Sequence, residues 1–321
     1  MRARRAGPAL RRPISGGTMK RKAATRQGQA KDLAAQVMFL PSLVVIILFT
    51  FYPILWAFVS SFKSVSLGGL RNASFWQIPG KFIGLNNYAN VLKNGAFFEA
   101  LFNTAKYALF NVPVTLCGAL FLAILLRRKG RGTSFFRTAF FLPYVVSLVS
   151  ASLIFLTLFN GQNGIINYFL TLGGLKPVYW MADSFWAMIV IALLGVWLKT
   201  GYYMLFFLAG LQNISEEYYE AARMDGAGVW RQFISITLPA LKPIMLVVLI
   251  LLMRDVLIVF QEVYVMTGGG PANSTTTVAF LIYREAFANF RIGSSSAMSF
   301  FLAGIAILVS WLQSRALGER K

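Results

Sequence analysis

Six long apolar stretches, separated by polar segments, set the pattern of the chain from residue 36 onward. Each is long enough to cross the hydrocarbon core of a bilayer, which takes about 20 helical residues. Because lipid offers backbone N–H and C=O groups no partner, we expect each stretch to form a helix. The sequence therefore predicts an all-α integral membrane protein with six transmembrane helices. The predicted spans are 36–60, 104–126, 136–159, 185–211, 241–262 and 296–313.

Cations lie unevenly along this pattern. The polar tail at 1–35 precedes the membrane domain at 36–321, holds ten Lys and Arg residues and is predicted to be largely disordered. Another basic cluster, 127–131, follows the second span, whereas Lys176 is the single cation between spans three and four. The positive-inside rule places both termini and the segment between spans four and five in the cytoplasm. Either Met1 or Met19 could be the initiator methionine of the natural protein.

Composition excludes several kinds of chemistry. The chain is 57% hydrophobic, has no histidine and has one cysteine, Cys117. It therefore cannot form a disulfide within itself or a Cys/His metal site, and it lacks the usual base of a serine hydrolase. No G-x-x-x-x-G-K-[ST] sequence is present, so we expect no P-loop for ATP. The net charge of +20 follows membrane sidedness and does not indicate nucleic-acid binding.

One polar segment interrupts the apolar pattern between spans four and five. Ser215 is a suitable N-cap, Glu216 and Glu217 follow in the first turn, and Gly226 is suited to end a helix. The segment predicts a short cytoplasmic helix of about three turns. Its small Ala221–Ala222 face permits close approach of another surface, so we interpret it as a docking site for a soluble partner.

The order of residues in this segment is specific. Glu220-Ala221-Ala222, then Gly226, Ile236 and Leu238-Pro239, give the pattern EAA-x3-G-x9-I-x-L-P. This pattern resembles the signature of the inner-membrane permease subunits of binding-protein-dependent ABC importers. The likeness extends over nearly the whole chain beyond residue 35. Two further motifs resemble the carbohydrate type, of the maltose-F or glycerol-phosphate-A kind: F-x-G-L-x-N-Y at 82–88 and T-G-G-G-P at 267–271.

The resemblance implies a mechanism and a set of partners. Two permeases form the pathway, and the coupling helix of each docks on an ATPase subunit that drives alternating access. The implied partners are a second permease, two nucleotide-binding ATPase subunits and a periplasmic or lipid-anchored solute-binding protein in contact with the outer loop 264–295. ATP and Mg would bind the ATPase subunits, and no cofactor is expected on this chain. The implied coupling residues are Glu220, Ala221, Ala222, Arg223, Asp225 and Gly226.

Charged residues inside a span are costly and are candidates for function. Lys199 falls in the fourth predicted span, and Arg254 and Asp255 fall in the fifth. One interpretation is a structural ion pair of Asp255 with Lys199 or with the partner permease. The other is a cationic pathway, formed by Lys199 and Arg254, for an acidic oligosaccharide such as an oligouronate or for a sugar phosphate. A neutral oligosaccharide is equally compatible with the sequence.

Aromatic and polar side chains near these charges are further pathway candidates. Aromatic rings stack on sugar faces, and carboxamide or carboxylate groups bind hydroxyls. Most aromatic residues in spans nevertheless face lipid or form interfacial belts. The candidates are Trp197, Tyr202, Tyr203, Phe260, Tyr264, Gln261 and Glu262.

Two other classes of protein compete with an ABC permease. A secondary transporter would need no ATPase, but its usual inverted repeat is not visible in this sequence. A membrane enzyme would need catalytic groups, and the chain offers neither histidine nor clustered carboxylates in its loops. The sequence therefore favours a non-catalytic permease subunit in the bacterial inner membrane.

Overall fold

The computed structural model describes residues 40–70, 74, 77–128 and 130–317. The predicted basic tail at 1–35, the first residues of the predicted first span, and the C-terminal Arg320 and Lys321 lie outside the described residues. The part of the chain up to Ala57 and the part from Phe58 onward form two separate units.

The described part of the first unit is helical. Helix α1, Leu40–Ser61, begins here and contains a π-helical turn at Ile47–Phe51. Most of its side chains up to Ala57 are apolar, yet none of them is buried within the chain. A helix that is apolar on every side suits a membrane or a protein interface rather than water.

Beyond Ser61 the described chain is mostly helical, with one short antiparallel pair of strands, β1 (Lys63–Ser64) and β2 (Lys81–Phe82). Helix α10 includes a π-helical turn at Phe233–Thr237. The helices are α2 (Leu67–Leu70), α3 (Asn86–Lys93), α4 (Gly95–Leu125), α5 (Thr133–Val145), α6 (Leu148–Leu158), α7 (Ile165–Leu172), α8 (Ser184–Gln212), α9 (Glu216–Met224), α10 (Val229–Leu257), α11 (Gln261–Met266), α12 (Val278–Tyr283) and α13 (Ile292–Leu317).

Five helices in the described residues, α1, α4, α8, α10 and α13, are long and apolar enough to cross a membrane. Helices α5 and α6 pass the same test together but meet at a bend of 97°, so the count is six if this pair is one span. The predicted class, a helical membrane protein, is confirmed. The third predicted stretch, 136–159, is not one straight helix.

The bend between α5 and α6 has a local cause. Val146 and Ser147 both adopt extended ψ angles, of 139° and 128°. Pro143 lies in the last turn of α5 and cannot donate a helical hydrogen bond. Helix α5 therefore ends at this point, and α6 starts in a new direction.

Several helices have different limits from those predicted. Helix α4 begins at Gly95 rather than near 104, and α10 ends at Leu257 rather than near 262. The predicted outer loop at 264–295 contains α12 and the first turn of α13. Hydropathy does not detect the turns that extend α4 beyond its most apolar part, nor the break between Leu257 and Gln261, because the residues within that break are apolar.

Two glycines let α8 approach its neighbours closely. A Cβ atom on Gly195 would collide with the hydroxyl oxygen of Tyr107 on α4, and one on Gly201 would collide with the carbonyl oxygen of Phe140 on α5. Small residues at helix contacts permit such close packing in membranes. These contacts fix the position of α8 along its axis relative to both α4 and α5.

Two buried asparagines, Asn87 of the F-x-G-L-x-N-Y motif and Asn103, hold segments at the predicted outer side. Asn87 donates from Nδ2 to the carbonyl oxygens of Ser61 (2.8 Å) and Lys63 (2.9 Å). Asn103, in α4, donates to the carbonyl oxygen of Asn273 (2.9 Å) in the segment after T-G-G-G-P. Buried carboxamides that satisfy distant backbone groups hold such segments in place.

A third asparagine joins two parts of the connection between α6 and α8 through hydrogen bonds. Asn167 donates from Nδ2 to the carbonyl oxygens of Gly161 (2.8 Å) and Val178 (2.9 Å). Its Oδ1 accepts from the Val178 amide (3.1 Å) and from Trp180 Nε1 (3.0 Å). A single side chain thus satisfies both ends of this connection.

We predict that Gly201→Ala destabilises the protein and Gly304→Ala does not. The new methyl group at 201 would overlap the Phe140 carbonyl, an overpacking that typically costs about 1–3 kcal/mol. Position 304, in α13, has no atom within 4 Å of an added Cβ. Thermal unfolding of the detergent-purified protein measures both effects. Equal melting temperatures for Gly201→Ala and the wild type would contradict the close packing of α8 on α5.

Candidate functional site

The predicted coupling helix is α9, and its ends have the expected chemistry. The Ser215 hydroxyl accepts a hydrogen bond from the Glu217 amide at 3.3 Å. Gly226 has a φ of +74°, and its amide donates to the Arg223 carbonyl oxygen at 3.0 Å. A left-handed glycine after the last turn is a common helix ending. Helix α9 is therefore a short helix with a defined start and stop, between α8 and α10.

Around α9 the surface combines charged and apolar side chains. Met224, Val229 and Trp230 are 89%, 85% and 72% exposed. Exposed apolar side chains of this size, grouped with polar ones, mark an interaction surface. We name Glu220, Met224, Val229 and Trp230 the docking patch. Of the predicted coupling residues, Ala222 is half-buried and the others are exposed: Glu220, Ala221, Arg223, Asp225 and Gly226.

Helix α9 is attached to two membrane helices through its inner face. The buried Tyr219 shares a hydrogen bond of 2.8 Å with the Thr237 hydroxyl in α10. Arg127, just after α4, lies over the Tyr219 ring at 4.5 Å and pairs with Glu216 at 3.1 Å. Helix α9 is therefore in direct contact with the end of α4 and with the first part of α10.

The charges predicted inside spans four and five form one cluster. Lys199 Nζ lies 3.4 Å from Asp255 Oδ2, and the Tyr203 hydroxyl donates to the same oxygen at 2.9 Å. Lys199 and Tyr203 are one helical turn apart on α8, which brings both to Asp255 on α10. The structure therefore has the ion pair between Lys199 and Asp255, and this pair compensates the Lys199 charge.

Arg254 belongs to an exposed face beside this pair. The Tyr144 and Tyr202 rings stack at 4.2 Å with 9° between their planes. Asp255, and Arg254 before it in the chain, both lie near the Tyr144 hydroxyl. We name Tyr144, Tyr202, Arg254 and the Lys199–Asp255 pair the charged face. It combines flat aromatic rings with a guanidinium group that can bind a carboxylate through two hydrogen bonds.

Two of the other predicted pathway residues have different surroundings. Trp197 is partly exposed and contacts the Phe155 ring at 5.7 Å. Tyr264 lies with Phe260 and Tyr283 in an aromatic group, at ring distances of 5.6 and 5.4 Å. The structure does not bring these residues into contact with the Lys199–Asp255 pair.

Gln261 and Glu262 belong to the separate helix α11 and not to the end of α10. Gln261 is exposed, whereas Glu262 is 3% exposed. Glu262 is therefore placed in the interior of the helical unit rather than on its surface.

Three residues near these sites, and Lys106 elsewhere on α4, are absent from the candidates that the sequence predicts. In the sequence, Arg127 indicates only membrane sidedness. Neither Thr237 nor Tyr144 lies in a local pattern that identifies the residue it contacts. Lys106 lies within the predicted span 104–126, so the rule that identified Lys199 applies to it as well. In the described part of the chain no group of three or more His, Cys, Asp or Glu residues is placed to hold a metal ion.

Comparison with known proteins gives a family. The sequence profile of the family "Binding-protein-dependent transport system inner membrane component" matches residues 115–316. The lactose transport system permease protein LacF of Rhizobium radiobacter is 36% identical over 295 residues, which cover 90% of this chain and 96% of LacF.

Solved structures show the same fold. A bacterial ABC transporter involved in the import of the acidic polysaccharide alginate has a chain with a TM-score of 0.77 and 21% identity, covering 92% of this chain and 100% of that one. A second structure, of a bacterial alginate ABC transporter in complex with an alginate pentasaccharide-bound periplasmic protein, gives a TM-score of 0.75 and 20% identity, covering 90% and 95%.

We predict that Tyr219→Phe loosens α9 while Tyr218→Phe does not. Loss of the hydrogen bond to Thr237 removes about 1 kcal/mol, which corresponds to a roughly fivefold faster local opening. Tyr218 is the next residue on the same helix and is 64% exposed. Amide hydrogen exchange over residues 216–224 measures the opening. The same exchange rate in both variants would show that Tyr219 does not anchor the helix.

Proposed function

Because the chain belongs to the family of binding-protein-dependent transport system inner membrane components, we propose that it forms half of the translocation pathway of an ATP-driven sugar importer. Its relatives include sugar permeases, and its fold matches an ABC importer structure. The observation that carries the proposal is the exposed docking patch on a helix attached to two candidate spans. The chain itself acts without catalysis.

The docking patch fits an ATPase subunit. Exposed apolar side chains fill a partner's cleft, and Glu220 and Asp225 offer charges at its rim. When the ATPase subunits close, they push α9, and the contacts through Tyr219 and Arg127 carry that movement to α10 and α4. ATP and Mg bind the ATPase subunits and not this chain.

Six spans with both termini in the cytoplasm complete the proposed topology. The bent pair α5–α6 supplies the third span, and α9 then lies in the cytoplasm between spans four and five. The basic residues at 1–35 and 127–131 support this orientation in a bacterial inner membrane. The remaining partners are a second permease, which completes the pathway, and a solute-binding protein at the outer side.

The charged face favours an acidic oligosaccharide. Arg254 is exposed beside the stacked Tyr144 and Tyr202, so a sugar ring can lie on the tyrosines while its carboxylate binds the guanidinium. The Lys199 ammonium is paired with Asp255 and is therefore not free to bind the carboxylate. The solved alginate transporter has the same fold, which supports the proposal without fixing the substrate.

A neutral oligosaccharide is the second candidate. The Lys199–Asp255 pair reduces the net charge of the face, and the 36% identical LacF is a lactose permease. In that case Arg254 would donate hydrogen bonds to sugar hydroxyls.

We predict that Glu220→Lys and Gly226→Pro each reduce solute uptake to the level without ATP. The first reverses a charge in the docking patch, and the second forbids the φ of +74° at the helix end because proline is fixed near −65°. The control is Glu99→Lys, which reverses an exposed charge near the start of α4, at the end of that helix away from Arg127 and α9. Uptake is measured in proteoliposomes that contain the full complex.

Two results would contradict the coupling proposal. One is undiminished ATP-dependent uptake by a complex that contains Glu220→Lys or Gly226→Pro. The other is accumulation of solute against a gradient by vesicles that contain this chain alone, which would indicate a secondary transporter.

We predict that Arg254→Gln lowers uptake of an oligouronate about tenfold and leaves uptake of a neutral oligosaccharide unchanged. A charge-assisted hydrogen bond contributes about 1.5–3 kcal/mol, so its loss weakens binding of the acidic substrate. Lys242→Gln removes an exposed cation near the middle of α10 and serves as the control. Wild-type transport of neutral sugar with no transport of oligouronate would favour the second candidate.

A further inference from the structure

An apolar groove runs between three of the candidate spans. Its volume is about 450 Å³. Of the lining residues, only Thr104 has a polar side chain, and its hydroxyl donates to the Ala100 carbonyl and accepts from the Val278 amide. The groove therefore offers no free hydrogen bond to a sugar. Its wall includes Ala105, Leu109 and Val112 on α4, Val256 on α10, and Ile305 and Val309 on α13.

A cation lies at the edge of this groove. Lys106 follows the lining residue Ala105, and its ammonium lies 4.4 Å from the centre of the Phe102 ring, one turn nearer the start of α4. Among the described residues, no carboxylate lies within 4.0 Å of this ammonium. The Lys106 side chain is exposed, so its charge is available to a ligand from the membrane.

The length of α4 sets the depth of Lys106. Thirty-one residues span about 46 Å, which exceeds a hydrocarbon core of about 30 Å. Lys106 follows Gly95 by roughly 16 Å along the axis, and its side chain points back toward that end. The ammonium therefore reaches the head-group layer by snorkelling. The groove continues from Leu101 to Pro113, about 18 Å along the helix.

We propose that this groove is a binding site for an anionic phospholipid. One acyl chain lies in the groove, and the phosphate binds the Lys106 ammonium. In the orientation proposed above, the lipid belongs to the outer leaflet. An apolar helix of a partner in the groove would offer no anion to the Lys106 ammonium, whereas a phospholipid brings its own phosphate.

Such a lipid bridges α4, α10 and α13. Two of these helices also carry the attachment points of α9, through Arg127 after α4 and Thr237 in α10. The lipid would therefore stabilise the arrangement of the helices that receive movement from the docking patch. The proposed site depends on the membrane placement of α4 and not on transport.

Native mass spectrometry of the full chain tests the site. Delipidated protein in detergent is mixed with phosphatidylglycerol, phosphatidylethanolamine or soluble glycerol phosphate. We expect preferential retention of phosphatidylglycerol and none of glycerol phosphate. Lys106→Gln should lower phosphatidylglycerol retention about fivefold, the factor for about 1 kcal/mol per cation. Lys93→Gln, an exposed cation on α3, should leave it unchanged.

A second variant tests the groove itself. Ala105→Phe fills it from an exposed position and should reduce retention of both phospholipids. Wild-type retention by Lys106→Gln or by Ala105→Phe would overturn the proposal. Efficient disulfide crosslinking of the Ala105→Cys variant, in a Cys117→Ser background, to the second permease would also overturn it. Such a crosslink would mean that protein fills the groove. These measurements use neither ATP nor solute. A negative result would therefore contradict the lipid site and leave the transport proposal unaffected.

Discussion

The close contact of α8 with its neighbours is the constraint on which the rest of the structure depends. Gly195 admits the Tyr107 hydroxyl, and Gly201 admits the Phe140 carbonyl. Gly195, Lys199 and Tyr203 are spaced four residues apart and share one stripe of the helix. The packing that fixes Gly195 against α4 therefore also fixes the height at which Lys199 and Tyr203 meet Asp255. Without this packing the ion pair would have no defined geometry.

Local chemistry explains what could be predicted from the sequence. The apolar stretches became helices because lipid leaves their backbone no other partner. Ser215 and Gly226 were identifiable because a cap and a left-handed stop act within one turn. The remaining features depend on distant partners: Lys199 and Asp255 are separated by 56 positions, and Arg127 and Glu216 by 89. No local pattern reports such pairs. Pro143 precedes the break at Val146–Ser147, but hydropathy alone treats 136–159 as one continuous stretch.

The two candidate sites share helices. Thr237 near the start of α10 contacts α9, and the same helix carries Arg254 and Asp255 about five turns later. Arg127 connects α9 to α4, which packs on α8 through Tyr107 and Gly195. A rigid helix transmits a displacement at one end to the other, so a movement of α9 would alter the spacing of the charged face. The structure thus offers a physical link between partner docking and the surface that would meet solute.

The bend between α5 and α6 has a consequence for hydration. A broken helix leaves terminal carbonyl and amide groups without intrahelical partners, and hydrocarbon cannot satisfy them. Ser147, at the break, is exposed rather than enclosed by its own chain, and Tyr144 lies three positions away. If the pair forms one span, this backbone has to be covered by a partner protein or to border an aqueous vestibule. Such a vestibule would wet the rings on which a sugar could rest.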